Sequence, residues 1–164
     1  MNETDIPERL IGHRQLPDAS SAVSAYEAVA KLHGFILPDE FPLQLGPAGR
    51  KPGFGDSSLL GSFGLQTRDD RFSPIQAIDV IVRETKEGRY PLAYLFSNST
   101  DWERSWHVGL FARHRSSLLL INLAEGKVEV SGRAAIRKRL IRTILATPGR
   151  KGIHIMTYRL PAAV

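Results

Sequence analysis

The run from Asp101 to His107 holds the densest grouping of side chains able to do acid–base work: Asp101, Glu103, Arg104 and His107, with Trp102 and Trp106 among them. Glu103 and His107 share a face whether the segment is helical, by the four-residue spacing, or extended, by the period of two. Either geometry lets carboxylate and imidazole work as acid and base, or hold a divalent metal between them. Asp101, Glu103 and His107 are therefore the candidate catalytic residues, and the chemistry they suit is that of a metal-dependent nuclease or phosphate-ester hydrolase. Two tryptophans beside polar groups also make a covering lip whose hydrogen bonds are internally satisfied. That non-catalytic role is the one the pattern favours.

Other catalytic patterns are missing. With no cysteine, the chain has no disulfide, no thiolate metal site and no thiol nucleophile. Gly49 to Gly55 is rich in glycine and cations but lacks the lysine-serine/threonine ending of a phosphate-binding P-loop. No zinc-protease helix motif, nucleophile elbow or dinucleotide fingerprint occurs. Glu84-Thr85-Lys86 and Glu125-Gly126-Lys127 have the spacing of some nuclease motifs, but the first falls on an expected helix and the second in a turn. That chemistry needs both side chains on a strand beside another carboxylate. No resident cofactor is expected, and a divalent metal only if the nuclease alternative holds.

A second kind of chemistry is electrostatic. The net charge is +5, and it is unevenly spread. Glu129 is the last acid; beyond it stand Arg133, Arg137, Lys138, Arg139, Arg142, Arg150, Lys151 and Arg159, eight cations with no carboxylate between them. The rest of the chain has 14 basic and 17 acidic residues, a net of −3. A one-signed field attracts polyanions, and arginine, outnumbering lysine six to two here, suits phosphate through its planar fork of donors. Arg113-His114-Arg115, followed by Ser116 and Ser117, falls at a turn between two expected strands and could hold a phosphate, although charged hairpin tips are common. Rings that would stack on bases are scarce: Tyr158 is the last and only one after Phe111. Contact with the phosphate backbone is therefore expected in preference to base stacking.

These groups need elements to place them. Residues 1–17 are polar and without period, and are expected to form a flexible N-terminal arm. Asp18 or Ser20 then caps a helix to about His33, stopped by Gly34. Residues 37–64, crowded with proline and glycine, read as one irregular segment that packs on the core through its apolar side chains. Ser73-Pro74 opens a helix with Ile75, Ile78, Ile81 or Val82, and Thr85 on one stripe, closed at Gly88. Leu92 to Phe96, Trp106 to Ala112, Leu118 to Leu123 and Lys127 to Val130 read as strands, the last three an antiparallel meander. Leu118 to Ile121 is apolar on both faces, which requires cover from both sides. Arg133 to Ala146 is a helix, and Ile153 to Tyr158 a final strand. On a wheel of about 100° per residue, Leu140, Ile144, Ile141 and Leu145 fall at about 40°, 80°, 140° and 180° from Ile136, a broad apolar face. Lys138, Arg139 and Arg142 lie opposite, while Arg137 falls among the apolar residues and must reach water or a buried acid such as Asp79.

Phe72-Ser73-Pro74, the helix after it, then Gly88 and Pro91-Leu92 leading into a strand resemble the opening of ParB/sulfiredoxin-type domains, some of which bind nucleotides or cut DNA. The resemblance ends near Phe96. In that family an arginine-rich phosphate motif begins a helix, whereas Arg113-His114-Arg115 here precedes the strand-like Leu118 to Leu123.

Taken together, residues 18–164 should form a single α+β domain, a mostly antiparallel sheet of about five strands packed by two to three helices. The expected function is a non-catalytic, nucleic-acid-associated or regulatory binding module using Arg133, Arg137, Lys138, Arg139, Arg142, Arg150 and Lys151, with Arg113 and Arg115, on phosphates. A small nuclease and an inhibitor of an acidic protein partner are the alternatives. No run of about 18 apolar residues occurs and the first residues have no apolar leader, so no membrane contact and a cytoplasmic location are expected.

Overall fold

The computed structural model describes Leu10 and residues 21–36, 58–96, 106–122, 127–146 and 152–162. In chain order the elements are α1 (Ser21–Leu32), α2 (Ser58–Gly61), β1 (Gln66–Phe72), α3 (Pro74–Lys86), β2 (Leu92–Phe96), β3 (Trp106–His114), β4 (Ser117–Asn122), β5 (Lys127–Val130), α4 (Arg133–Leu145) and β6 (Ile153–Arg159). The α+β class and the helix-packed antiparallel sheet are as expected, but the sheet has six strands, in the order β1-β6-β2-β3-β4-β5, with every neighbouring pair antiparallel. The additional strand is β1, which pairs with β6 at the edge. The expected irregular segment also ends differently: Ser58–Gly61 closes one helical turn, while residues 37–57 lie outside the described residues.

Helix ends follow local chemistry. At α3, Ser73 accepts the backbone N–H of Gln76 while the Gln76 side chain accepts the Ser73 N–H, a reciprocal cap with Pro74 just inside. Gly88 then takes φ 73°, the left-handed conformation that costs glycine least, and its N–H and that of Arg89 bond the carbonyls of Thr85 and Glu84. The same arrangement ends α1, where Gly34 at φ 75° and Phe35 return to Lys31 and Ala30.

The sheet is covered on both faces. α1 packs Val23, Tyr26 and Val29 on Leu92, Val108, Leu110, Leu119, Ile121, Met156 and Tyr158, and Leu10, from the expected N-terminal arm, is buried in that same layer. On the other face α3 and α4 bury Ile78, Ile81, Ile136 and Leu140 against Leu95, Phe111, Leu120, Ile153 and Ile155. This two-sided cover is why Leu118 to Ile121, the centre of β4, is apolar on both faces. In α3, Ile75 stands in solvent instead of on the core stripe.

One polar pin fastens the α1 layer to the sheet. The buried Tyr158 hydroxyl accepts the Tyr90 backbone N–H at 2.9 Å and lies 2.5 Å from His33 Nε2. A hydroxyl can accept and donate at once, so the one oxygen takes the Tyr90 N–H and still shares a hydrogen bond with the His33 ring nitrogen. Burial pushes the phenol pKa upward, so the hydroxyl remains a donor throughout the accessible pH range. Tyr158→Phe should lower stability by about 1–3 kcal/mol, since it removes the acceptor of a part-buried N–H and the hydroxyl's bond to His33; urea denaturation of the two proteins measures the difference.

Candidate anion-binding surface

α4 docks by Ile136, Leu140 and Thr143, all buried. Thr143 decides its rotation. Its Oγ1 donates to the Arg139 carbonyl and accepts the Phe96 N–H at the end of β2, each at 3.1 Å, so a polar residue is consumed within the interface. The buried stripe is thereby centred close to Ile136, turned by about 80° from the centre that the apolar residues alone suggest. Two expectations are corrected as a result. Ile141 and Leu145 are 38% and 74% exposed instead of buried. Arg139 leaves the solvated stripe and turns inward, where its Nη2 lies 3.1 Å from Nε2 of the buried His107 on β3. Arginine only donates, so Nε2 is the acceptor and the ring proton sits on Nδ1.

Arg137 takes the solvent route, and Asp79 pairs instead with Arg133, at 2.6 Å between two exposed side chains. Such a pair contributes about 0–1 kcal/mol and leaves most of the guanidinium donors open. Arg159 is drawn off by Glu84. That carboxylate, 1% exposed on α3, receives Arg89 Nε at 2.6 Å, Arg159 Nη1 at 3.0 Å and Arg83 Nη2 at 3.2 Å. Burial alone would raise its pKa; the Arg89 hydrogen bond and charge, joined by Arg159 and Arg83, outweigh that and hold it below the ordinary carboxylate value. Arg89 is held above its ordinary value in return, first by its bond to Glu84. Arg137, Lys138 and Arg142 remain: all three are exposed, and none of their side chains has a hydrogen bond or ion pair among the described residues.

A cleft opens where the β3–β4 turn meets the start of α4. Its volume is about 440 Å³, and it is lined by Lys86 from the end of α3, Arg113 from β3, Ser116 from the turn, Ser117 at the start of β4, and Ser131, Gly132 and Arg133 at the start of α4, with Val82 and Leu118. No carboxylate lines it among the described residues. Arg113 Nη1 donates to the Ser116 carbonyl at 3.3 Å, whereas its Nε is out of solvent with no partner. Gly132 is the N-cap of α4 and contributes no side-chain cap, so the first-turn N–H groups are left open. Arg115 occupies the turn at φ 55°, a conformation uncommon for a residue with a Cβ, and faces solvent outside the cleft lining.

The structure thus brings Arg113 together with Arg133, twenty residues apart in the chain, and joins His107 to Arg139. Asp101 and Glu103, Arg150 and Lys151 lie outside the described residues, as does the Glu125-Gly126 turn. Among the described residues no group of three or more potential ligands could hold a metal ion, and no helix is long and apolar enough to cross a membrane. Sequence reasoning missed Lys86 and Gly132 as parts of the cleft, because nothing in linear spacing links the end of one helix to a hairpin beyond the next two strands. It missed Glu84 too, although an acid at the 77, 81, 84 spacing of an apolar stripe is a visible signal. No protein-family model and no curated protein sequence matches the chain.

Proposed function

We propose that this protein is a binding module that contacts the phosphate backbone of nucleic acid through the exposed cationic face of α4. The observation that supports the reading is the set Arg137, Lys138 and Arg142, solvent-exposed over about two turns of one helix and without a carboxylate partner among the described residues. Arg133 extends the set at the helix start, since an exposed pair to Asp79 is readily exchanged for phosphate. The mechanism is counterion release, which yields affinity with little sequence readout. A cytoplasmic location is part of the same proposal.

Salt titration tests it. With four cations engaged, log affinity for duplex DNA should fall with log salt at a slope of about −3 to −4, because each neutralised phosphate contributes about −0.9. Arg137→Glu with Arg142→Glu should make the slope shallower by about two and weaken binding at least tenfold at low salt. A flat salt dependence, or unchanged binding by the double variant, removes the reading.

One observation favours a second reading, an acidic protein partner: the exposed Ile141 and Leu145 sit among the same cations. A phosphate backbone gains nothing from Leu145, but a protein surface does. Leu145→Ser should leave DNA affinity unchanged under the first reading and abolish capture of a nuclease-resistant acidic partner under the second.

A further inference from the structure

We infer that the cleft between the β3–β4 turn and the start of α4 is a discrete site for a phosphomonoester dianion, beside the face of α4 that tracks a backbone and sharing Arg133 with it. Three cations reach it from three elements: Lys86 from α3, Arg113 from β3 and Arg133 from α4. Three serine hydroxyls from two segments, Ser116 and Ser117 where the turn enters β4 and Ser131 before α4, supply neutral donors between them. A surface that only neutralised charge would have no use for cations and hydroxyls converging on one half-open cleft. A tetrahedral group with three unesterified oxygens does, because each oxygen can be met from a different side.

Arg113 carries the argument furthest. Its Nε–H is shielded from solvent and unpartnered while its Nη1 reaches the exposed Ser116 carbonyl, so a turn of this half-buried side chain toward an anion in the cleft would give the Nε–H the acceptor it lacks. Nothing among the described lining residues offers an acceptor in the form of a carboxylate, and Asp79 is engaged on the Arg133 side. The start of α4 adds the remaining donors. Its N-cap is glycine with no side-chain cap, and the space that a Cβ there would take is open. The cleft, at about 440 Å³, is of the size that accepts a small organic phosphate as well as the free ion. Esters of this kind lose their second proton near pH 6, so affinity should rise between about pH 5 and 7.

This inference extends the phosphate-contact reading but stands or falls separately. The probes are inorganic phosphate, adenosine 5′-monophosphate, and a single-stranded oligonucleotide with and without a 5′-phosphate, each titrated into the intact protein by calorimetry and amide NMR. Saturable binding is expected, with shifts at Ser131, Gly132 and the β3–β4 turn. Preference for adenosine monophosphate over the phosphorylated oligonucleotide assigns the site to a free metabolite, and the reverse assigns it to a nucleic-acid end. Arg113→Gln should weaken binding at least tenfold.

Gly132→Asp is the decisive variant. Its carboxylate fits the open N-cap, holds the first-turn N–H groups itself and repels the anion, so binding should be lost without any fall in Tm. The variant Arg137→Glu with Arg142→Glu should keep phosphomonoester binding while losing duplex affinity. Absence of saturable binding to all four probes, equal affinity for the two oligonucleotides with none for the small phosphates, or full retention by Gly132→Asp would overturn the site. The first two outcomes leave the duplex reading of α4 intact.

Discussion

Glu84→Gln should destabilise the protein by about 3–5 kcal/mol, enough to lower Tm by on the order of 10 °C in a domain of this size. The carboxylate is 1% exposed and holds Arg89, itself only 13% exposed, so neutralising it leaves an uncompensated guanidinium inside the fold. Arg83 and Arg159 are 60% and 56% exposed, and their individual alanine variants should each cost no more than about 1 kcal/mol. The pH dependence follows in sign. A carboxylate held below its ordinary value of 4.5 contributes stability that is fully present above that value and is lost as pH falls through the folded-state value. Wild-type protein should therefore lose stability in acid more steeply than Glu84→Gln, and the two should converge at low pH. Thermal melts from pH 7 to 3 measure this; parallel curves would show that Glu84 does not carry that titration.

Leu140→Ala should cost about 2–5 kcal/mol, whereas Leu145→Ala should change stability by less than about 0.5 kcal/mol. Both lie on the broad apolar arc of the helical wheel. Leu140 is fully buried between α4 and the sheet, while Leu145 is 74% exposed. Comparable losses at the two positions would mean that α4 is rotated toward the orientation its apolar residues alone suggest. Paired urea denaturation curves decide between them.

That rotation shows where sequence reasoning reaches its limit. α3 was legible end to end because its signals are local: Ser73, Pro74 and Gly88 act on backbone groups within a turn of themselves. The strands β2, β3, β4 and β6 were legible because both faces, or alternate positions, are apolar. β1 was not, since Gln66–Phe72 is an edge strand dominated by charge, and an edge beside solvent requires no apolar alternation. α4 was legible as a helix but not in its facing, because the residue that turns it, Thr143, acts through a hydroxyl that finds its partner 47 positions away. The anion surface divides in the same manner. Its sign was plain in composition, and Arg137, Lys138 and Arg142 stand free of partners among the described residues as the one-signed run suggested. Which cations are withdrawn from it depended on tertiary partners: Arg159 by Glu84, and Arg139 by His107.

The place of β6 has a consequence for how the molecule comes into being. This strand lies between β1 and β2, bonded along its whole length to one and partly to the other. A chain emerging from its N-terminus can assemble the β2–β5 meander as it grows, but β1 has no neighbour until residues 153–159 have been made. The last-synthesised strand is the keystone, and a truncation that removes it would divide the sheet rather than trim it, exposing two raw edges to other nascent chains.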